Sequence, residues 1–180
     1  MALRAGTHTI GPAAGTIQIR TYREGMAQRV GHDLVIDVAE WEATIVVAAG
    51  GAPTAIALEA DPHSLQIREG LHGLKPLSDR DRAEIRKTID AKVLGGRPIV
   101  YRSSAVEVKE SGLAVSGELT LAGQTRKASF EVELDADGRV HGTLRLEQSQ
   151  WGIKPYRGLM GALKVRDDVD VVVDAPLPTA

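Results

Sequence analysis

The sequence predicts a mainly β protein: an eight-stranded antiparallel barrel with one α-helix in a long connection. Residues Gly112 to Leu177 run as strand-length segments that alternate apolar and polar side chains between Gly-bearing turns. Alternation with a period of two is the mark of a sheet with one buried face. Only one segment, after Pro76, carries a helical stripe. The order of elements, several strands, one helix, then several more strands, is met most simply by up-and-down closure, which leaves no sheet edge exposed. A β-sandwich satisfies the same alternation and stays open as the competing architecture.

In chain order, Thr7 to Ile10 reads as a short strand ended by Gly11-Pro12. Gly15 to Arg23 alternates, with Ile17, Ile19 and Thr21 on one face. Glu24 to Val30 is a helical turn or loop that Gly31 ends. Leu34 to Ala49 is long for one strand and its apolar parity switches: Leu34, Ile36 and Val38 are even, Trp41, Ala43, Ile45 and Val47 odd. A bulge or bend near Ala39-Glu40 accounts for the switch, as sheets use such devices to curl. Thr54 to Ala60 and Ser64 to Arg68 follow as strands, separated by Asp61-Pro62. The helix is announced by Ser78 as N-cap with Asp81 three residues on. Its apolar stripe is Ile85, Ile89 and Val93, and Gly95-Gly96 stops it. Ile99 to Val108 leads into the final sheet, where Leu113, Val115, Leu119 and Leu121 share a face with Gly117. Phe130, Val132 and Leu134, then Val140, Leu144 and Leu146, continue the pattern. Leu163, Val165, Val169, Val171 and Val173 make the longest stripe, and Asp167 falls on its apolar parity, at a bulge or as a buried polar anchor.

Length and composition set limits. At 180 residues, the chain is expected to form one domain, 1–180, able to enclose a cavity. A net charge of −2 and a pI near 6.2, without a Lys/Arg stripe, argue against a general nucleic-acid binder. With no cysteine, disulfides, thiolate metal sites and cysteine nucleophiles are excluded. The opening Met-Ala-Leu-Arg-Ala-Gly-Thr-His lacks an apolar stretch able to serve as a signal core, so a cytoplasmic protein is expected. The longest apolar run, Ile45 to Ala49, is far short of a transmembrane segment. Six aromatics leave the interior to Val, Ile, Leu and Ala, a lining suited to a hydrocarbon rather than to stacked bases.

Catalytic and metal motifs are weak. His32-Asp33 places an imidazole beside a carboxylate, but neighbours in a strand face opposite ways. The histidines at 8, 32, 63, 72 and 141 show no ligand spacing, so no metal is expected. Gly95-Gly96-Arg97 lacks the strand-loop-helix order of a phosphate site. In Gly152 to Gly158, Lys154 and Arg157 are candidates to face an anionic head group, with plain surface charge as the alternative.

The block Gly117-Glu-Leu-Thr-Leu-Ala-Gly-Gln-Thr-Arg-Lys127 resembles the G-x-L-T-[LI]-x-G-x-T-[RK] signature of the bacterial YceI-like family. Arg97 to Val106 is similar to that family's strand after the helix, and Trp151-Gly152-Ile153 with Val165 to Val171 to its aromatic-Gly-Ile turn and closing strand. The resemblance implies a lipocalin-like barrel that binds a long polyisoprenoid or an isoprenoid quinone, and it suggests dimers. The chain departs from the family's N-terminal pattern: His8-Thr-Ile-Gly-Pro-Ala-Ala-Gly15 stands where an acidic residue, a histidine and a serine are common.

The expected function is therefore non-enzymatic binding, storage or transport of an isoprenoid-type lipid or quinone, with no cofactor beyond such a guest. The apolar parities assign Ile17, Ile19, Phe130, Leu144, Leu146, Val165 and Val169 to the cavity wall, with Trp151 near one end. The alternatives are an enzyme at the barrel mouth using His32 with Arg23 or Arg20, and an interaction module with a filled bore and a dimerising surface.

Overall fold

The structure is a computed structural model and describes residues 3–178. Its strands are β1 (Gly6–Ile10), β2 (Thr16–Thr21), β3 (Arg23–Glu24), β4 (Asp33–Val38), β5 (Trp41–Val47), β6 (Pro53–Ala60) and β7 (Leu65–Leu71). After α1 (Asp79–Thr88) come β8 (Ile99–Lys109), β9 (Gly112–Leu121), β10 (Gln124–Leu134) and β11 (Arg139–Glu147). The chain ends with β12 (Arg157–Gly158), β13 (Leu163–Val165) and β14 (Asp168–Pro176).

Eleven segments form one antiparallel sheet in the order β1-β5-β6-β8-β9-β10-β11-β14-β2-β4-β7. The covalent chain closes it. β4 pairs with β2 and β7, whereas β5, the continuation of β4 beyond Ala39-Glu40, pairs with β1 and β6. At this corner the Ala39 N–H donates to the Ser64 carbonyl (3.2 Å) and the Asp61 N–H to the Glu40 carbonyl (3.0 Å). Pairing thus passes unbroken to a matching corner between β6 and β7. β1 and β2 are likewise halves of one strand, interrupted at Gly11 to Gly15. Three strands bent in two turn eleven segments into eight strands, and the circuit from β2 through β4-β5, β6, β8, β9, β10 and β11 to β14 returns to β2. The expected bend lies at Ala39-Glu40, and the buried parity changes there from Ile36 and Val38 to Trp41, Ala43, Ile45 and Val47.

The helix forms where the sequence places it. The Ser78 hydroxyl accepts from the Asp81 N–H while the Asp81 carboxylate accepts from the Ser78 N–H, a complete capping box. α1 then widens into a π-helical turn at Ile89–Leu94, ended by left-handed Gly95. Arg82 anchors the helix to the sheet: its guanidinium donates to the carbonyls of Ile67 and Arg68 on β7. The helix so covers a strand that would otherwise offer unpaired backbone groups.

Two segments differ from the sequence reading. The strand expected over Gly15 to Arg23 breaks at Tyr22, and β3 pairs instead with β13 in a small sheet with β12. The Leu163 to Val173 stripe is bent at Arg166-Asp167. The Asp167 carboxylate accepts from the N–H and hydroxyl of Ser149, and its carbonyl accepts from the Gln148 N–H (2.9 Å). Asp167 is an anchor at a bend, and the parity of the stripe survives it.

The Tyr22 break has its own clasp on the outer face. Asp170 of β14, 7% exposed, accepts two hydrogen bonds from the Arg145 guanidinium (2.8 and 3.0 Å) and one from the Tyr22 hydroxyl (2.6 Å). Arg166 lies over the Tyr22 ring, 5.6 Å from its centroid. The Arg145 hydrogen bonds, outweighing burial, hold the Asp170 carboxyl below the usual carboxylate range, while the bond to Asp170 raises the Tyr22 hydroxyl. A depressed carboxyl stabilises the fold above its unfolded pKa of about 4 and loses that contribution as pH falls through the folded value. Asp170→Asn is therefore expected to cost about 2 kcal/mol at neutral pH. The gap between variant and parent, read from urea midpoints at pH 7 and pH 3, narrows on the acid side.

Candidate functional site

The inward face of the barrel is unusually economical in bulk. Ala43, Ala60, Gly142 and Ala175 stand on the wall among valines, leucines and isoleucines, and Phe130 is the single phenylalanine of the chain. Side chains this short do not meet across the bore. A cavity of about 740 Å³ remains, within the roughly 300–1,000 Å³ typical of ligand pockets. Its wall draws on β2, β4, β5, β6, β8, β9, β10, β11 and β14, and on Leu77, Ile85, Ile89 and Val93 of the helical connection. The apolar stripe of α1 thus faces the void, so the helix forms part of the container.

One aromatic pair holds the wall. Tyr101 and Phe130 tilt against each other with ring centroids 5.4 Å apart. Gly117 makes room for Tyr101: a Cβ there would lie 2.7 Å from its hydroxyl oxygen and 2.3 Å from the Arg102 carbonyl. The Tyr101 hydroxyl donates to the Ala128 carbonyl (3.3 Å), and burial pushes its pKa up to about 12. At neutral pH it stays protonated and acts as a donor.

Polarity is gathered at one end. Thr21, Arg23, His32, Lys75, Asp81 and Glu84 line the mouth, where β2 enters the turn to β4 and the chain leaves β7. Thr21 Oγ1 and Arg23 Nε are buried and find no hydrogen-bond partner among the described residues; deeper in the bore, Trp41 Nε1 is in the same condition. A buried polar atom left unpaired costs about 1–3 kcal/mol. All three belong to residues on the cavity wall. The three atoms themselves are covered by neighbouring groups and show essentially no surface to the void.

Of the residues assigned to the wall from sequence, Ile17, Ile19, Phe130, Leu144, Leu146, Val165 and Val169 lie on it. Trp151 does not, which corrects its assignment. At 2% exposure it is packed elsewhere in the core, and its indole N–H donates to the Leu119 carbonyl (3.0 Å). A short 3₁₀ turn over Gln148–Trp151 carries it off the barrel stripe. His32 and Asp33 do not form a dyad. His32 Nε2 is bonded to the Lys75 carbonyl (2.6 Å), while Asp33 holds His72 (2.7 Å) and the Arg23 N–H (2.8 Å). Arg23 reaches the mouth, but Arg20 is paired in register with Asp170 and does not line the cavity, so the two arginines lie on opposite sides of β2. Lys154 and Arg157 are exposed and off the cavity wall, which instead includes Tyr156 and Lys164. No cluster of three metal-ligating side chains occurs among the described residues.

The sequence reading has a helix plugging or covering one mouth of the barrel, but not its apolar stripe as cavity wall, nor the polar mouth. Both had a signal. The helix stripe was legible but was not extended into the cavity, and the parity of Ile17, Ile19 and Thr21 continues to Arg23, an inward face that turns polar.

A comparison with protein families matches residues 77–177 to the YceI-like domain. Among solved structures, Burkholderia cenocepacia BcnA superposes with a TM-score of 0.60 at 14% identity, over 88% of this chain and 94% of that one. The Campylobacter jejuni YCEI protein superposes with a TM-score of 0.55 at 10% identity, over 78% and 81%. Such distant likeness establishes the fold. No curated protein matches the sequence.

Replacing Thr21 by Val removes one orphaned hydroxyl without changing shape. It is expected to raise the urea midpoint of the protein, a gain of about 1 kcal/mol.

Proposed function

This chain belongs to the YceI-like domain family, and from that premise we propose that it is a non-enzymatic carrier of an isoprenoid-type lipid or quinone. The tail lies in the aliphatic bore and the head at the Thr21 and Arg23 end. Ile17, Ile19, Phe130, Leu144, Leu146, Val165 and Val169 contact the tail. The observation that carries this reading is the cavity itself: about 740 Å³ walled almost wholly by aliphatic side chains, with Thr21, Arg23, His32 and Lys75 gathered at the end where a head group would sit.

The energetics suit a hydrocarbon. At about 0.8 kcal/mol per buried methylene, three five-carbon isoprene units supply about 12 kcal/mol. Association costs of about 4 kcal/mol or more leave about 8 kcal/mol, near micromolar affinity. No polar contact is required for that figure, so the head sets selectivity more than strength. Carriage without catalysis is the better account of the mouth: His32 is tied to a backbone carbonyl, Asp33 is engaged by His72, and Tyr101 keeps its proton.

Native mass spectrometry of the protein from its host, followed by organic extraction, is expected to release a prenyl chain. A protein that is empty and indifferent to added polyprenol would overturn the reading. Val171 faces the void while only partly buried, so Val171→Trp puts its added volume into the bore. That variant is expected to keep its thermal midpoint within a few degrees and to bind a prenyl probe at least about tenfold more weakly, a loss of about 1.4 kcal/mol.

A further inference from the structure

Two turns beside the cavity mouth present apolar side chains to water. In the first, between β3 and β4, Met26 is 96% exposed and Val30 half exposed. In the second, between β12 and β13, Leu159 is 59% exposed and Met160 fully so. The turns are fastened together. The Ala27 N–H donates to the Ala162 carbonyl (2.9 Å), and Gly25, with a positive φ, packs so close that a Cβ there would lie 2.5 Å from the same oxygen. Leu159 and Met160 both adopt left-handed φ, at 48° and 53°. Non-glycine residues tolerate that geometry at a cost. Here the cost holds two large apolar side chains outward rather than in the core.

The surrounding charge has one sign. Residues 25–32 and 152–166 contain Arg29, Lys154, Arg157, Lys164 and Arg166 and no carboxylate, in a chain whose net charge is −2. Arg166 is paired with Asp168; Arg29, Lys154, Arg157 and Lys164 make no salt bridge among the described residues. Three carboxylates border these segments: Glu24, opposite Lys164 in register, Asp33, engaged by His72, and Asp167, bonded to Ser149. On α1 the charges are mixed, Asp79, Asp81 and Glu84 alternating with Arg80, Arg82, Arg86 and Lys87, so the run of cations without carboxylates belongs to the turns. This sector adjoins the cavity: Val30, Tyr156, Leu163 and Lys164 line it.

We propose that these paired turns are a docking surface for an anionic lipid bilayer, seating the open mouth on the membrane from which the guest is taken or to which it is given. Exposed methionine and leucine tips enter the acyl boundary while the flanking cations meet lipid phosphates. Tyr156, half exposed at the rim, is suited to the interfacial layer. A second copy of the chain is the weaker occupant, because a two-fold contact would press one uncompensated basic sector against its twin. The proposal rests on the carrier reading for its purpose, but not for its test.

The test is flotation of the full-length protein with vesicles of roughly one part phosphatidylglycerol to three parts phosphatidylcholine, set against phosphatidylcholine alone. The expected result is binding to the anionic vesicles only, weakening as salt is raised. The triple change Met26→Ser, Leu159→Ser, Met160→Ser, and separately Arg29→Glu with Arg157→Glu, each reduce partitioning at least tenfold. Val108→Ser, an exposed apolar position at the far end of β8, leaves it unchanged. All these variants retain prenyl-probe binding in detergent solution, so loss of docking is separable from loss of carriage. Absence of vesicle binding, or binding that none of the rim variants alters, overturns the proposal. So does a dimer in sedimentation that the triple variant dissociates, since that assigns the surface to a second copy. Vesicle binding by a protein that holds no prenyl chain upholds the surface and removes the carrier reading instead.

Discussion

The barrel depends on the corner at Ala39-Glu40. By switching parity at the corner, residues 33–47 present Ile36 and Val38 inward in one half and Trp41 through Val47 in the other. The first half pairs with β2 and β7, the second with β1 and β6. The two hydrogen bonds that cross to the β6-β7 corner keep the backbone satisfied while the direction changes. Closure makes a container from a chain with little bulk to spare.

That thrift has an energetic meaning. Protein interiors are close-packed, and an apolar surface facing empty space forfeits dispersion contacts on one side. A sequence optimised for stability alone would place phenylalanine or tryptophan where this one places Ala43, Ala60, Gly142 and Ala175. The unpaired atoms of Thr21, Arg23 and Trp41 point the same way, as each is a buried polar group left without a partner. Places where local stability is surrendered mark where function is to be sought. Here they share one cavity.

Much of this was legible from the residues. Alternation gave the strands of the second half; the parity switch located the corner; Ser78 and Asp81 located the helix. What escaped is instructive. Trp151 was assigned to the cavity because a tryptophan beside an apolar strand looks like a lining residue, yet its place is set by a 3₁₀ turn that periodicity does not register. The bend at Arg166-Asp167 keeps the odd parity on both sides, so alternation passes over it without a mark. Its cause is a pair of contacts from Ser149, eighteen residues away, which no local pattern encodes. The cavity role of Ile85, Ile89 and Val93 depends on which side of the helix meets the barrel. That is fixed by Arg82 gripping the carbonyls of β7, a tertiary contact.

The inward side of β2 unites these themes. Ile17 and Ile19 belong to the bore, Thr21 marks the change, and Arg23 opens on the mouth, one stripe passing from hydrocarbon to charge within seven residues. Tyr22, between the last two, faces outward and is clasped by Asp170, with Arg145 and Arg166 completing the outer contacts. The outer clasp holds Tyr22 at the break between β2 and β3, the point where the chain leaves the barrel sheet between Thr21 and Arg23. The Arg23 guanidinium is held at this mouth, its Nη1 donating to the Leu71 carbonyl (3.1 Å) and its Nε covered. The mouth so built separates two apolar regions, the bore within and the exposed turns without. The aliphatic wall and the polar mouth are therefore distinct stretches of one run of residues, open to change by different substitutions.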